Sequence, residues 1–179
     1  CFPNFFLTTL GYSFLKTYYK SCSKNEEAIS LCAVDKKSSK ILGFVVGCQS
    51  SKGFNRQLIS SNLLAFLYQG FKLILTKPLA IIRLLQNFSK RNELSDLGNY
   101  AELLSIGVLP DQGGMGIGQN LLAKFENKVI EKGGSIITLT TDADSNDDVL
   151  KFYKKSGYEE YYYFVAFPKR NMVKLIKKL

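Results

Sequence analysis

Apolar residues follow two different periods along this chain, and each change of period marks the boundary of a predicted element. Spacings of three and four residues predict one or two helices at 5–20 and further helices at 53–92. Short apolar or β-branched runs at 28–34 and 41–47, separated by a polar turn, predict a hairpin between these helical segments. The second half predicts a strand at 103–109, a helix at 116–133, a strand at 135–141, a helix at 146–156 and strands at 158–167 and 172–179.

The composition limits the chemistry that these elements can carry. The chain has 179 residues, which fits a single domain over residues 1–179, and it contains no histidine. An enzyme with this sequence therefore has no Ser-His-Asp or Cys-His pair and no His-ligated catalytic zinc. Its proton carriers must be carboxylates, tyrosines, lysines or water, and no metal site is expected.

The net charge of +9 belongs to one segment of the chain. Between residues 36 and 91 there are ten basic residues and no acidic residue, whereas the rest of the chain carries 14 basic and 15 acidic residues. The basic residues of the segment are Lys36, Lys37, Lys40, Lys52, Arg56, Lys72, Lys77, Arg83, Lys90 and Arg91. Such a segment indicates an anionic partner, which is a phosphate-bearing ligand, a membrane surface or a nucleic acid. Nucleic acid is the least favoured, because interleaved aromatic residues and a recognition-helix pattern are lacking.

The cysteines and the uncharged runs bear on the compartment. Cys1, Cys22, Cys32 and Cys48 have no metal-binding spacing and are few for a disulfide scaffold, so we expect reduced thiols in a cytoplasmic protein. The longest uncharged runs, 1–15 and 57–71, are shorter than the roughly 20 apolar residues of a membrane span, and no signal peptide is evident. The chain begins without methionine near a predicted helix, so we expect that its natural beginning is missing.

A glycine-rich turn between a strand and a helix is the first candidate site. Residues 105–122 run from a strand through Pro110 to a turn with four glycines and into a helix. Glycine backbone allows close approach of an anion, and a helix N-terminus adds free N–H groups. Gln119 stands where a Rossmann motif has its third glycine, and Gln119-Asn120 replaces the Lys-Ser/Thr of a P-loop. The turn alone is equally typical of a tight loop.

A second block follows at residues 146–158, with the form N-x-x-Φ-x-x-F-Y-x-x-x-G-Y, where Φ is apolar. Together the two blocks resemble the GNAT superfamily of acetyl-CoA-dependent N-acetyltransferases, over residues 101–158 and more loosely over 28–47. The resemblance implies an α/β (α+β) fold with a mixed, centrally splayed β-sheet flanked by helices. It also implies that acetyl-CoA lies in a cleft between 106–109 and the strand 135–141.

The resemblance assigns cofactor-binding positions to Ile106, Val108, Gly113, Gly114, Met115, Gly116, Ile117, Gly118, Asn146 and Tyr153. Backbone amides of the turn would hold the CoA pyrophosphate, and strand amides would bind the pantetheine arm and polarise the acetyl carbonyl. Tyr153 would protonate the departing thiolate. The family usually has Arg or Gln at the position of Gly113, so phosphate binding here is expected from amides rather than from that side chain. Simpler readings are a core aromatic for Tyr153 and a helix N-cap for Asn146.

Glu102 is the candidate catalytic base, because a glutamate at this position resembles the base of the histone-acetylating branch of the family. It lies six residues before Val108 on the same strand, and even spacing predicts both on one face, about 20 Å apart. A bulge or a water chain must shorten that path. The alternative is that water is the base and Glu102 is a solvated strand carboxylate.

The resemblance implies transfer of an acetyl group from acetyl-CoA to a primary amine of a small molecule, directly in a ternary complex. The sequence leaves open whether the protein is a monomer or a homodimer. The alternative is a non-catalytic acyl-CoA-binding or membrane-docking module with the same fold.

The helical insertion at about 53–92 separates the third and fourth family strands and is long for a connection between neighbouring strands. Pro78 should start or break a helix within it. One interpretation is a cover over the acceptor site that binds a phosphate-bearing acceptor. A second is peripheral contact with the inner face of a membrane through Phe66, Tyr68, Phe71 and Leu75. A third is ordinary packing on the sheet with solvated lysines.

Overall fold

Five helices and six strands follow one another in residues 10–76, 98–166 and 169–179, which are the residues that a computed structural model of the chain describes. The helices are α1 (Tyr12–Cys22), α2 (Phe54–Ser61), α3 (Leu63–Thr76), α4 (Ile117–Glu131) and α5 (Asp147–Lys155). The strands are β1 (Ala28–Val34), β2 (Ile41–Cys48), β3 (Ala101–Val108), β4 (Ile136–Asp142), β5 (Glu159–Ala166) and β6 (Arg170–Lys178). Every predicted strand is present, with ends within two residues of the predicted ones.

The six strands form one mixed sheet in the order β1-β2-β3-β4-β6-β5. The pair β3–β4 is parallel, with α4 as the crossover, and the other neighbours are antiparallel. Helices lie against both faces, so the predicted fold class is confirmed.

The sheet opens at its centre, as predicted. β3 and β4 are paired at three positions, from Ala101 opposite Ile137 to Leu103 opposite Leu139. Beyond Leu103 the two strands separate, although β3 continues to Val108 and β4 to Asp142. The backbone edges that face each other across this gap therefore lack strand partners there.

A β-bulge in β3 lies at the start of the gap. Val46 of β2 is opposite Ser105, but the next residue, Gly47, is opposite Leu103, so that Leu104 is the extra residue. Gly47 is required here by close packing, because a Cβ atom at this position would lie 2.4 Å from the Phe125 ring of α4. The bulge also reverses the alternation of faces along β3.

The two faces of the sheet carry separate apolar clusters. On one face, the buried side of α4 packs with residues of β2, β3, β4 and β6; the largest contributors include Phe125, Leu122, Ile137, Leu139 and Leu175. On the other face, α1 and α2 cover β2 with Cys22, Val46, Cys48, Phe54 and Leu58. Removing these side chains from water, at about 25 cal/mol per Å² of apolar surface, holds the helices in place around the gap.

The insertion is helical over residues 54–76, as predicted, but it does not form one straight helix. α2 ends at Ser61 and α3 begins at Leu63, and the two axes are bent by 94°. α2 packs on the sheet through Phe54 and Leu58, whereas α3 packs on α1. Pro78 and the rest of the predicted insertion lie outside the described residues.

Within the described ranges, no single helix is long and apolar enough to cross a membrane. The bent pair of α2 and α3 meets the same criterion by length and composition when taken together.

Candidate functional site

A cleft of about 1340 Å³ lies where β3 and β4 separate. On the side of α4 and α5 it is lined by Val108, Gly118, Asn146, Phe152 and Tyr153. On the opposite side of the sheet it is lined by residues of α1 and its neighbours, namely Tyr12, Leu15, Lys16, Tyr19, Phe44 and Ser105. The cleft therefore reaches both faces of the sheet, so two ligands entering from opposite sides can meet in the gap.

The unpaired edge of β3 presents backbone donors to this cleft. The N–H of Leu109 donates to the carbonyl oxygen of Leu42 at 2.8 Å, on the β2 side of the strand. Because successive N–H groups of a strand point to opposite edges, the N–H groups of Val108 and Ile106 point to the β4 side, where the strands have parted. Both residues line the cleft.

The glycine-rich turn forms the approach to α4. A single 3-10 turn at Pro110–Gln112 is followed by Gly114 and Gly116, each with a φ of +75°. That left-handed backbone is strained for residues with a Cβ atom, which explains the glycines at these two positions. A Cβ atom at either position would meet nothing within 4 Å, so the space above the turn is open.

Gly116 is the N-cap of α4 and makes no side-chain cap, so the first N–H groups of that helix face the open turn without a capping side chain. Gly113, Met115 and Ile117 complete the turn, and Met115 is exposed. Backbone amides near a positive dipole end are well suited to an anionic group such as a pyrophosphate.

Asn146 lies at the N-cap position of α5, but its side chain makes no capping hydrogen bond. Its Nδ2 group donates instead to Thr141 Oγ1 at 2.8 Å and to the carbonyl oxygen of Asp142 at 2.9 Å. These bonds join the beginning of α5 to the end of β4 at the edge of the cleft. Asn146 is thus the N-cap residue of α5 by position, as predicted, but without a capping side-chain bond, and its place at the cleft is compatible with the predicted role beside a cofactor.

Tyr153 lies on α5 and is buried, with its ring edge-to-face against Phe152 at 5.1 Å and Tyr158 at 5.6 Å between ring centroids. It belongs to the apolar cluster and it also lines the cleft, so the core and functional interpretations are compatible. Burial raises the pKa of the Tyr153 hydroxyl well above its ordinary value. The side chain is therefore a neutral donor over the physiological pH range.

Glu102 does not share a face with Val108, and that part of the prediction is wrong. Glu102 is opposite Cys48, which belongs to the cluster under α1 and α2, whereas Val108 packs against the cluster under α4. The cause is the bulge at Leu104, which shifts the alternation by one residue. Glu102 is buried and is not among the cleft-lining residues.

The α1 side of Glu102 has a distinct electrostatic environment. Burial, followed by the charges of Cys22, Tyr19 and Glu102, raises the pKa of Tyr18 far above its usual range. Glu102 thus lies near α1, on the side of the sheet from which Tyr19 and Ser105 line the cleft.

The residues of α1 are the part of the site that sequence reasoning missed. Tyr19 donates its hydroxyl hydrogen bond to Ser105 Oγ at 3.0 Å, which connects α1 to the unpaired part of β3. Burial raises the pKa of Tyr19, and this effect outweighs the bond to Ser105, which lowers it. The aromatic and basic residues at 12–19 could have indicated a binding surface. The helical pattern predicted a helix there but did not indicate that it lines a cleft.

At the far end of the cleft, Asp142 accepts a bidentate pair of hydrogen bonds from Arg170, from Nε to Oδ1 at 3.0 Å and from Nη2 to Oδ2 at 2.6 Å. Its charge is therefore already balanced by a guanidinium. Among the described residues, no group of three cysteine, aspartate or glutamate side chains is arranged to hold a metal ion.

A model of the acetyltransferase (GNAT) family matches residues 4–158. The chain is also similar in structure to Chaetomium thermophilum Naa20 in complex with a bisubstrate analogue, with a TM-score of 0.57, 18% identity and coverage of 94% of this chain and 74% of that one. The chain is likewise similar to the ribosomal-protein-S18-alanine N-acetyltransferase from Escherichia coli, with a TM-score of 0.53, 14% identity and coverage of 91% of this chain and 75% of that one. A third similar structure is a Bacillus anthracis protein assigned as a streptothricin acetyltransferase, in complex with acetyl coenzyme A. Its TM-score is 0.55 and its identity 15%, and the match covers 87% of this chain and 64% of that one. None of the curated proteins compared with the chain matches it.

Proposed function

Because the chain belongs to the GNAT family of acetyltransferases, we propose that it transfers an acetyl group from acetyl-CoA to a primary amine of a small molecule. The observation that carries this proposal is the cleft that reaches both faces of the sheet, with backbone donors and Tyr153 on one side and α1 on the other. Such a cleft suits direct transfer in a ternary complex, because donor and acceptor can enter from opposite faces.

The fit of acetyl-CoA to this chain rests on the turn and on the edge of β3. Open space above Gly114 and Gly116 and the uncapped beginning of α4 suit the pyrophosphate, which the N–H groups of Met115 through Gly118 would bind. The N–H groups of Ile106 and Val108 would bind the pantetheine arm and the acetyl carbonyl oxygen. Asn146 would contact the same molecule from the start of α5.

Bound acetyl-CoA supplies an activated acetyl thioester, so that the new amide bond forms as the carbon–sulfur bond breaks. The amine must first lose a proton, to Glu102 or to a water on the α1 side of the cleft. The Val108 N–H stabilises negative charge on the carbonyl oxygen. The Tyr153 hydroxyl donates its proton to the departing sulfur, and burial keeps this hydroxyl protonated at the pH where the amine reacts.

The acceptor side of the cleft supports a small amine with a planar or apolar body. Tyr12, Tyr19 and Phe44 supply aromatic surface there, and Lys16 supplies a positive charge that suits a phosphate or carboxylate on the acceptor. A structural neighbour acts on alanine of ribosomal protein S18, so a peptide N-terminus is the acceptor to test against the small amines.

Calorimetric titration with acetyl-CoA tests the first half of the proposal, and absence of binding at millimolar ligand would contradict it. A thiol-release assay with aminoglycosides, polyamines, amino sugars and a peptide N-terminus tests the second half. We expect release with at least one of the small amines. Binding of acetyl-CoA without release for any acceptor would favour the non-catalytic acyl-CoA-binding module instead.

A further inference from the structure

One side of α3 is apolar and exposed. Its residues are Leu64, Leu67, Tyr68, Phe71, Ile74 and Leu75, whose exposed fractions lie between 56 and 83%. Their spacing of three, one, three, three and one residues follows the helical period, so they form a continuous stripe. We call this stripe the α3 face.

The opposite side of α3 is packed. Leu73 is buried, and Phe66 lies edge-to-face against Phe14 of α1 with 6.1 Å between ring centroids. The prediction that Phe66 faces a membrane together with Tyr68, Phe71 and Leu75 is therefore wrong. The buried Gln69 donates from Nε2 to Ser13 Oγ at 2.9 Å. α3 is thus fixed to the domain by one side, and the orientation of the α3 face is determined by that packing.

Single exposed apolar residues are ordinary on protein surfaces, but a continuous stripe of six large ones marks an interaction surface. The charge of the surrounding sequence indicates its partner. Lys72 lies on α3 itself, Lys52 and Arg56 are exposed at and before the beginning of α2, and residues 36–91 contain ten basic residues and no acidic one. An apolar stripe with a lysine on the same helix, in the basic segment of the chain, suits the boundary between the acyl chains and the headgroups of an anionic bilayer.

We propose that the α3 face docks on an anionic lipid surface, with α3 lying in the plane of the interface. α3 has 14 residues, which at about 1.5 Å per residue spans about 21 Å and does not cross the roughly 30 Å hydrocarbon core. Its packed side, with Gln69 and Leu73 held against α1, also remains outside the lipid.

Docking would bring the acceptor side of the cleft close to the membrane. α1 lies between the two features: Phe14 and Ser13 contact α3, while Tyr12, Leu15 and Lys16 line the cleft. An amine presented at the lipid surface would therefore first meet the cleft-lining residues of α1, which are Tyr12, Leu15, Lys16 and Tyr19. Lipid binding itself does not depend on acetyl transfer, so each can fail without the other.

Vesicle co-sedimentation of the full chain tests the docking. We expect binding to vesicles with about one third phosphatidylglycerol, weaker binding to pure phosphatidylcholine, and weaker binding at high salt because the electrostatic part is screened. The double variant Leu64→Glu/Phe71→Glu should lower the partition coefficient at least about tenfold. Ile130→Glu, at an apolar site on α4 that is 51% exposed, is the control away from the α3 face and should bind as the parent chain does.

A fluorescence probe separates lipid from other occupants of the α3 face. The chain contains no tryptophan, so Phe71→Trp introduces a single reporter, with Ile130→Trp as control. We expect a red emission maximum in buffer and a blue shift with anionic vesicles for Phe71→Trp alone. An emission maximum that is already blue-shifted in buffer would overturn the proposal, because the α3 face would then be covered without lipid. If dilution restores the red maximum, the face is covered by a second copy of the chain. If it does not, the face is covered by another segment of the same chain. No shift with vesicles would overturn the proposal equally.

Discussion

At the residue scale, burial sets the protonation of the groups that would do the chemistry. The chain has no histidine, and the acid that we propose in the cleft is Tyr153, whose pKa is raised because its hydroxyl is desolvated. The raised pKa keeps the phenol protonated, but a phenol is a weaker acid than a thiol, so its hydroxyl would serve the departing thiolate first as a hydrogen-bond donor. This makes the role of Tyr153 open to a direct test.

Tyr153→Phe should lower kcat by about 10²-fold, because the ring packing is kept while the proton donor is removed. The calorimetric affinity for acetyl-CoA should change little. Tyr161→Phe, which alters an exposed tyrosine on β5, is the control and should leave both quantities unchanged. An unaltered kcat in Tyr153→Phe would exclude the side chain from proton transfer.

Glu102→Gln tests the base on the other face of the sheet. If Glu102 accepts the proton of the amine, directly or through water, kcat/KM should fall about 10²-fold or more near neutral pH and recover partly at high pH, where the free amine is already deprotonated. A uniform loss at every pH, with a lower melting temperature, would indicate that the carboxylate is structural.

Gly116→Ala should weaken acetyl-CoA binding and lower stability by about 1 kcal/mol, because alanine is strained at a φ of +75°. Gly118→Ala is the matched control for stability, since its Cβ atom would meet its nearest neighbours, on Phe152 and Val108, at 3.6 Å or more. Thermal unfolding followed by circular dichroism distinguishes the two. Equal melting temperatures would show that the turn relaxes without cost.

At the scale of elements, β6 is attached to α4 by a largely buried ion pair. Lys177 Nζ lies 2.7 Å from Glu126 Oε2, with side-chain exposures of 21 and 13%, and Lys177 also lies over the Tyr158 ring at 5.5 Å from its centroid. The pair therefore links β6 to the helix that follows the glycine turn, and it also contacts Tyr158, the residue before β5.

Lys177→Met should destabilise the domain by about 2 kcal/mol, because Glu126 keeps its charge in a poorly solvated position. The double variant Glu126→Gln/Lys177→Met should recover part of that loss in urea denaturation. Lys178→Met, at the exposed neighbouring position, should have little effect. A double variant as unstable as the single one would show that packing of the lysine stem matters more than charge.

Sequence periodicity predicted the strands well because each has a buried side that must match its neighbours. A bulge between Glu102 and Val108 was one of the two expected possibilities, but its position and its effect on the faces were not predicted. The bulge at Leu104 depends on how β2 pairs with β3, which no local pattern of apolar residues encodes. For the same reason the periodicity assigned Glu102 to the wrong face. The glycine turn was found because its backbone conformation leaves a sequence signal, and Asn146 was found because the second block resembles a known family. The α1 residues of the cleft are brought there by tertiary packing alone.

At the scale of the whole molecule, buried tyrosine and cysteine side chains make the folded state less stable at alkaline pH, because they are neutral only while they are protonated. Burial is the main cause that raises the pKa of Tyr158 and of Cys22, the latter to about 11, with the neighbouring Glu126 adding to the effect at Tyr158. The unfolded chain releases these protons at lower pH than the folded one. Their contribution to stability is therefore complete below about pH 9 and is lost as the pH rises toward and past the folded values.

The free energy of unfolding should accordingly decrease above pH 10, by up to about 1.4 kcal/mol per pH unit for each buried tyrosine. Tyr158→Phe should make the decrease less steep, although it loses the hydroxyl at all pH values. Tyr68→Phe, at an exposed site, should follow the parent curve. Urea denaturation between pH 8 and 11 measures all three, and identical slopes would contradict the assignment.

The three residue pairs that join β3 to β4 have a consequence for how the chain can be divided. The loop at Gly133, exposed and with a φ of +81°, separates β1–β3 and α1–α4 from β4, α5, β5 and β6. A cut there leaves the glycine turn and Val108 on one fragment and Asn146 and Tyr153 on the other, so neither fragment holds a complete cleft. Acetyl transfer would then occur when the fragments reassemble, and the enzyme would become a split reporter of whatever brings its two parts together.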